Sequence, residues 1–464
     1  MQTITYENIK VEGAPFQKIL HLEIKHKSNE HGQAVVIGEA DVTAAQEYAG
    51  RVNGDTTVTI KTSAIGQPAI LFVGSVSNAG IQKQGAYAKL TLKLSSTSIL
   101  LDSKRNNKSF QRTGMSHEEV IKSALQGEAD ISMEVSDKPI GSIIMQYNET
   151  NWEFTKRMAA VFGAPVIANL TTKKPHLTIG LPVGGKTYQA SDIETTSGMD
   201  EERYAQMAAD GSNTNMMQED FMGTKIESYQ YVFLGDKISY GGSSQKVQGV
   251  YSSLQSGILK TTISLATESG FSQPQKVNGQ VSGKMFSGTV KAVKRDMVQV
   301  HLTDIDSSYD GGGDYWFPYS TAYSSNDGSG FYCMPAVDDT VRVFFPSGKE
   351  GSAFAASSVC VSPLDNPKHK RWRTPGGKEI LFTEEGIFIT CKENKVFINL
   401  TDENGITIES DKDINVCAVN NVLVMGNKDV VVEAENNIMI STAQSYIDIQ
   451  KEKIEIGADN VLIN

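Results

Sequence analysis

The chain has 464 residues with 43 Lys and Arg against 54 Asp and Glu, a net charge of −11 that argues against nucleic acid or an anionic lipid surface as partner. At 39% hydrophobic and 21% charged residues it reads as a folded chain of about three domains, not a disordered one. The opening MQTITYENIKVEG has neither a basic nor an apolar signal region, no run of 18 apolar residues follows, and Cys333, Cys360, Cys391 and Cys417 lack CxxC spacing; assembly in the cytoplasm with reduced thiols is expected, and any export by another route.

From Gly13 to about Leu100 the pattern is that of strands. Ile19–Ile24, Thr57–Ile60 and Leu90–Leu94 alternate, with Asn53-Gly54 and Gly66 as punctuation, which predicts a small, mostly antiparallel barrel. Two helices follow. Ser116 to Glu119 is a capping box leading into Val120, Ile121 and Leu125 and stopped by Gly127. Thr150 to Glu153 is another, with Phe154, Met158, Val161 and Phe162 on its apolar side and Gly163 as the stop. Residues 165–270 return to strand character around a polar, Met-rich loop over 198–222, with room for a short helix at 200–209.

The texture changes at Gln273-Pro274. Met285–Val300 and Thr340–Phe345 alternate around the loop Ser307–Gly313 and the block Trp316–Tyr319, as expected for a small closed barrel of the oligonucleotide/oligosaccharide-binding (OB) type. The predicted organisation is a hub over 1–272, an OB collar over 273–362, a linker over 363–375 carrying Pro363, Pro367 and Pro375, and a final unit over 376–464.

That final unit carries a repeat. Pairs of aliphatic residues with one residue between their members recur: Ile387/Ile389, Val396/Ile398, Ile406/Ile408, Ile414/Val416, Val422/Val424, Val430/Val432, Ile438/Ile440, Ile447/Ile449, Ile454/Ile456 and Val461/Ile463. The spacing of two within a pair is that of a strand with one buried face. Successive pairs are offset by 9, 10, 8, 8, 8, 8, 9, 7 and 7 residues, room for one strand and a turn. A single-chain β-helix needs three strands per coil, about 20 residues, to enclose a core of its own. Eight residues supply one strand, so three chains are needed to close a triangle. The expectation is an intertwined trimeric β-prism, a stiff needle with these pairs as its core. Residues 371–464 hold nine Lys and Arg against sixteen Asp and Glu, so the needle is acidic and soluble.

Enzyme chemistry finds little support in the residues. His21, His26 and His31 are five apart, a spacing that alternates faces on a strand and favours solvated side chains over a metal site. Gly311–Gly313 is not followed by Lys-Ser/Thr and a helix, which favours a loop over a phosphate cradle. Tyr315, Trp316 and Phe317 sit among Asp304, Asp306, Asp310 and Asp314, surroundings that favour packing over single-strand binding. The Trp152/Phe154 helix face is read as core or inter-subunit packing. No cofactor, metal or catalytic residue is expected.

The segment Ile144-Met-Gln-Tyr-Asn-Glu-Thr-Asn-Trp-Glu-Phe-Thr-Lys-Arg-Met158, ending in Phe162-Gly163, resembles the hub motif of the spike family of contractile injection machines. That family includes the valine–glycine-repeat (VgrG) proteins of type VI secretion, the fused hub and spike of contractile phage tails, and the late-control D proteins. The motif maps onto Gln146, Tyr147, Asn148, Glu149, Phe154, Arg157 and Gly163. Leu71–Val76, Ser96–Asp102 and Lys108–Phe110 look like the same hub. Gly288–Val290, Val298–Val300, Trp316, Gly330–Pro335 and Asp339–Phe345 look like its OB barrel. The resemblance implies a non-enzymatic homotrimeric spike that seats a hexameric tube protein and baseplate proteins on a threefold needle, within a phage-tail-like bacteriocin, phage baseplate or type VI-like particle, and touches a target membrane only on firing. No lysozyme domain fits between the barrel and Gly376, and no histidine follows His369 to form a tip iron site. The blunt end leaves room for a separate tip protein of the PAAR kind, or for an uncapped needle. An envelope-degrading enzyme and a glycan-binding trimeric tail protein or adhesin stand as alternatives.

Overall fold

The computed structural model describes residues 2–189, 195–210, 217–240, 243–308, 313–393 and 395–462, and divides into two compact units, 1–359 and 360–464. The chain is mainly β, and no helix is long and apolar enough to cross a membrane.

In the first unit twelve strands join one sheet. Its main row runs Ile9–Glu12, Thr57–Thr62, Ile70–Gln84, Tyr87–Ser96, Gln33–Asp41, Lys18–Lys27, Ser243–Gln255, Ile258–Ala266, Met222–Ser228, Thr195–Met199. The row comes back towards its start, because Leu259 N donates to Ile4 O (2.9 Å) and Tyr6 N to Gly257 O (3.0 Å). Inside that return lies one apolar core with Leu22, Ile24, Ile60, Phe72 and Leu92, completed by Leu254 and Leu259. The other half of the same 243–266 hairpin supplies Val247, Val250, Ile263 and Leu265 to a second core with Ile226 and Val232. The hub strands expected as barrel units are thus two cores sharing one sheet.

Among the described residues, four α-helices lie among these strands. The first, α1 (Val42–Arg51), falls where only strands were expected; Asp41 caps it by accepting from Ala44 N (3.0 Å). Both expected capping boxes form. Ser116 and Glu119 open α2 (His117–Leu125), and Thr150 and Glu153 open α3 (Asn151–Ala160). The short helix expected near 200–209 is α4 (Glu201–Asp210). Helices α2 and α3 enclose a third core built from Val120, Ile121, Leu125, Trp152, Phe154 and Met158, so the Trp152/Phe154 face is core packing.

The expected small barrel is closed, in the order Lys284–Lys294, Met297–His301, Phe317–Ser320, Phe354–Ala356, Thr340–Phe345. Phe286, Val290, Val298, Val300, Phe317, Val341, Val343 and Phe345 fill it. Gly288 is required there, since a Cβ would stand 2.2 Å from Val300 Cγ1 and 2.8 Å from His301 O.

The second unit differs in kind. Lys370–Arg373, Glu379–Phe382, Gly386–Lys392, Val396–Thr401 and Gly405–Ser410 form an antiparallel meander, and Asn437–Ser441, Tyr446–Gln450 and Ile454–Gly457 form another. The expectation of strands at Ile414/Val416, Val422/Val424 and Val430/Val432 is not met: residues 411–436 hold no strand. They keep the repeat all the same, bending at 411–412, 419–420, 427–428 and 435–436, every eight residues. The reason is pairing. Between Asp413 and Asn436 no residue hydrogen-bonds to another described residue of the chain, so no ladder exists to define a strand. The two meanders, by contrast, pair their strands within the chain. Ile463, of the last expected pair, lies outside the described residues.

Candidate functional site

The motif segment lies on the strand Ile144–Thr150 and on α3, and its strand is a wall shared by two cores. Ile144 packs into the α2/α3 core, whereas Ile143 and Met145 belong to the barrel core, and Tyr147 meets Phe286 edge-on at 5.0 Å. Alternation of side chains across a strand therefore joins the helical layer to the barrel. Gln146 turns inward, is buried, and donates through Nε2 to Asn151 Oδ1 (3.0 Å). Asn148 sits at φ 51°, where the pairing with Arg105–Phe110 shifts by one residue; asparagine tolerates that conformation. Its N–H donates to Asn107 Oδ1 (2.8 Å).

Glu149 and Arg157 are the ionic centre of this wall. Arg157 donates from Nε to Glu149 Oε1 and from Nη2 to Glu149 Oε2 (2.8 Å each), from Nη2 to Met145 O (2.6 Å), and from Nη1 to Glu350 Oε1 (2.8 Å). Asn278 Nδ2 adds a donor to Glu149 Oε2 (3.2 Å). Burial pulls the Arg157 pKa down, but Glu149 and Glu350 more than restore it, and it stands above its ordinary value. Burial pushes Glu149 up, only partly offset by Arg157 and reinforced by Glu350. Two carboxylates with one guanidinium leave the buried cluster one negative charge in excess when all three are ionised. Phe154 underlies it, stacked on Phe110 at 5.7 Å with the Arg157 guanidinium 5.3 Å from its ring. Gly163, at φ 62°, ends α3 and accepts Gln273 N (2.9 Å). The structure therefore brings Tyr147, Glu149, Phe154 and Arg157 to one place. Glu350 and Asn278 were not expected there, since nothing local marks a partner so distant in sequence.

Three histidines expected to be solvated have separate fates. His21 meets Glu23 (3.1 Å). His26 is buried, and burial, only partly offset by the Ala168 backbone, lowers its pKa to about 3. His31 packs on Trp152 at 4.3 Å and lies between Ser98 and Asp102, with Nδ1 to Ser98 Oγ 2.8 Å and Nε2 to Asp102 Oδ2 3.3 Å. Serine, histidine and carboxylate in a row is the arrangement of a nucleophilic triad. Here Ser98 is buried and also bonded to Ser96 Oγ (2.7 Å), so its oxygen has no room to attack a substrate. Phe317 is barrel core and Tyr315 packs edge-on against it at 4.9 Å, as the packing reading expected. Gly311 and Gly312 lie outside the described residues.

The second unit presents the expected needle residues on one face. Cross-strand register lines up Trp372, Ile380, Ile389, Ile398 and Ile408 in one row, and Phe382, Ile387, Leu400 and Ile406 in the next. In the second meander Ile438, Ile449 and Ile454 stand in one row and Ile440, Ile447 and Ile456 in another. Ile414, Val416, Val422, Val424, Val430 and Val432 continue the repeat and are exposed. A groove of about 570 Å³ runs along Trp372, Ile380, Ile389, Ile398, Ile408 and Ile414. Among the described residues, no hydrophobic side chain of this unit is buried. Single exposed aliphatics are ordinary on a protein surface, but contiguous rows of them mark an interface.

Solved structures share this architecture. An E. coli component of the type VI secretion system, described as structurally similar to the T4 phage tail proteins gp27 and gp5, aligns at TM-score 0.54 and 12% identity over 76% of this chain and 99% of its own. A chain of the lidless PdpA–VgrG complex aligns at 0.54 and 9% identity, over 88% and 98%. One from the half-lidded Francisella PdpA–VgrG complex aligns at 0.52 and 9% identity, over 88% of each. No protein-family model and no curated protein matches the sequence.

Proposed function

Given the hub–spike fold it shares with the type VI spike structures, we propose that this protein is the non-enzymatic, homotrimeric central spike of a contractile injection machine. The observation that carries the reading is the second unit's lack of an interior. Its apolar rows are open, and residues 413–436 leave their backbone donors and acceptors without partners among the described residues. Such groups are stable in a dry interface only when another strand meets them. Three copies complete both requirements. Each meander supplies one face of a three-sided prism, and each six-residue stretch of the middle segment lies between strands of its two sister chains. The proposal thus narrows intertwining from the whole of 376–464 to that middle segment.

In this reading the first unit is the hub and collar, seating a hexameric tube and baseplate proteins, and the acidic prism is driven through the target envelope when the sheath contracts. A PAAR-type tip protein is the partner proposed for the needle's far end. The test is the mass of the full chain by light scattering, with threefold averaging of electron micrographs. A trimer with one thin acidic projection is expected; a stable monomer at micromolar concentration would overturn the proposal.

A further inference from the structure

The acidic stretch around Tyr315 has a use that barrel packing does not explain. Asp306 accepts from both the backbone N–H (2.9 Å) and the hydroxyl of Ser109, on the strand Arg105–Phe110 that pairs with the motif strand. Asp314 accepts from Thr113 N (2.7 Å), and next to it Tyr315 N donates to Gln111 O (3.1 Å). Glu350, from the opposite side of the barrel sequence, accepts from Arg157 on α3. These three carboxylates all come from the barrel sequence, and all their partners lie between 109 and 157. Asp304 is different, capping Ser287 N (2.6 Å) inside the barrel.

We propose that Asp306, Asp314 and Glu350 form a three-point clamp that fixes the closed barrel to the helical layer, making the two one rigid body for force applied along the molecule. Bonds to a carboxylate are the stronger class of hydrogen bond, and three at separate points resist rotation as well as separation. The apolar contact across Ile143, Met145 and Tyr147 gives adhesion but fixes orientation less, because it is non-directional. This inference does not depend on the trimer.

The experiment uses the full chain carrying Asp306→Ala, Asp314→Ala and Glu350→Ala. The last change leaves Arg157 paired with Glu149 alone, so no buried charge is orphaned. Lys276 is an exposed trypsin site on the segment joining the two bodies. We expect cleavage there to quicken roughly tenfold or more, and the single heat-unfolding step of this unit to split in two, with mass by light scattering unchanged. Asp304→Ala should lower barrel stability without quickening cleavage at Lys276. Wild-type cleavage with one unsplit transition would overturn the clamp. Should the triple variant not fold, Asp306→Ala alone is read by the same cleavage, and a wild-type rate there would overturn it equally.

Discussion

The sharpest perturbation is a single carboxylate placed on alternate faces of the unpaired segment. In the proposed trimer Val430 and Val432 belong to the inward set, and Val431 between them would face the other way. In the single chain they are 56%, 65% and 76% exposed. Burying a valine fully is worth ~1.5–3 kcal/mol, so the 56% still exposed at Val430 amounts to ~0.8–1.7 kcal/mol per chain, or ~2.5–5 kcal/mol over three copies. Val430→Asp loses this and adds the desolvation of three carboxylates at one level, several kcal/mol each. The total is on the order of 10 kcal/mol, or about seven decades in the association constant. Val431→Asp should stay within about 0.5 kcal/mol of wild type. Sedimentation equilibrium over a dilution series measures both. A Val430→Asp protein that remained trimeric with an unchanged melting temperature would refute the inward assignment, as would equal damage from the two variants.

Replacing Arg157 by Met leaves the buried Glu149 and the half-buried Glu350 without a cation and should cost about 3–5 kcal/mol in urea denaturation at pH 8, with a smaller loss in acid, because burial already favours the protonated form of Glu149. His26 sets an acid limit. Its folded pKa of about 3 lies below the unfolded value near 6.5, so the unfolded chain binds the proton first and stability falls as pH drops through that window. Between pH 6.5 and 4.5 that amounts to about 2.3 kcal/mol, and His26→Leu should flatten the slope by up to one proton when unfolding is followed against pH. Gly288→Ala should destabilise the barrel by about 1–3 kcal/mol through the clash with Val300 and His301 O, read as an earlier loss of its near-ultraviolet signal.

What could be read in the sequence was whatever physics writes locally. The capping boxes at Ser116 and Thr150 placed α2 and α3 because each involves residues three apart. Helix α1 escaped because it buries only Ala45 and Tyr48, too narrow a stripe to stand out beside Val42 and Thr43, which favour strands. The burial of His26 was legible in principle, since it shares the inward parity of Leu22 and Ile24, whereas Lys25 and Lys27 beside it pull the eye towards solvent. The motif strand was recognisable, but its two-sided role was not. Ile144, Met145 and Gln146 are all buried, so it has no alternation to betray which core each serves. Glu350 lies 193 residues from Arg157, and no periodicity connects them.

The needle pairs show the deeper limit. A period of two fixes which face is apolar and leaves open whose strand comes next, because a hairpin and an exchanged strand share the same alternation. Turn chemistry decides between them. The first meander reverses between Thr401 and Gly405, with Gly405 at φ 71°, and again where Thr383 N donates to Gly386 O. The second meander reverses through two-residue loops, with Thr442 N donating to Ser445 O and Gln450 N to Lys453 O. The middle segment closes no such hydrogen bond among the described residues. Its bends occupy two residues each, at 411–412, 419–420, 427–428 and 435–436, and none of these residues has positive φ. The chain there pairs with no strand of its own, yet it keeps an apolar pair in each six-residue stretch between bends. A backbone that bends without reversing, and carries such pairs, is the segment that the proposed trimer would cover with strands of its sister chains.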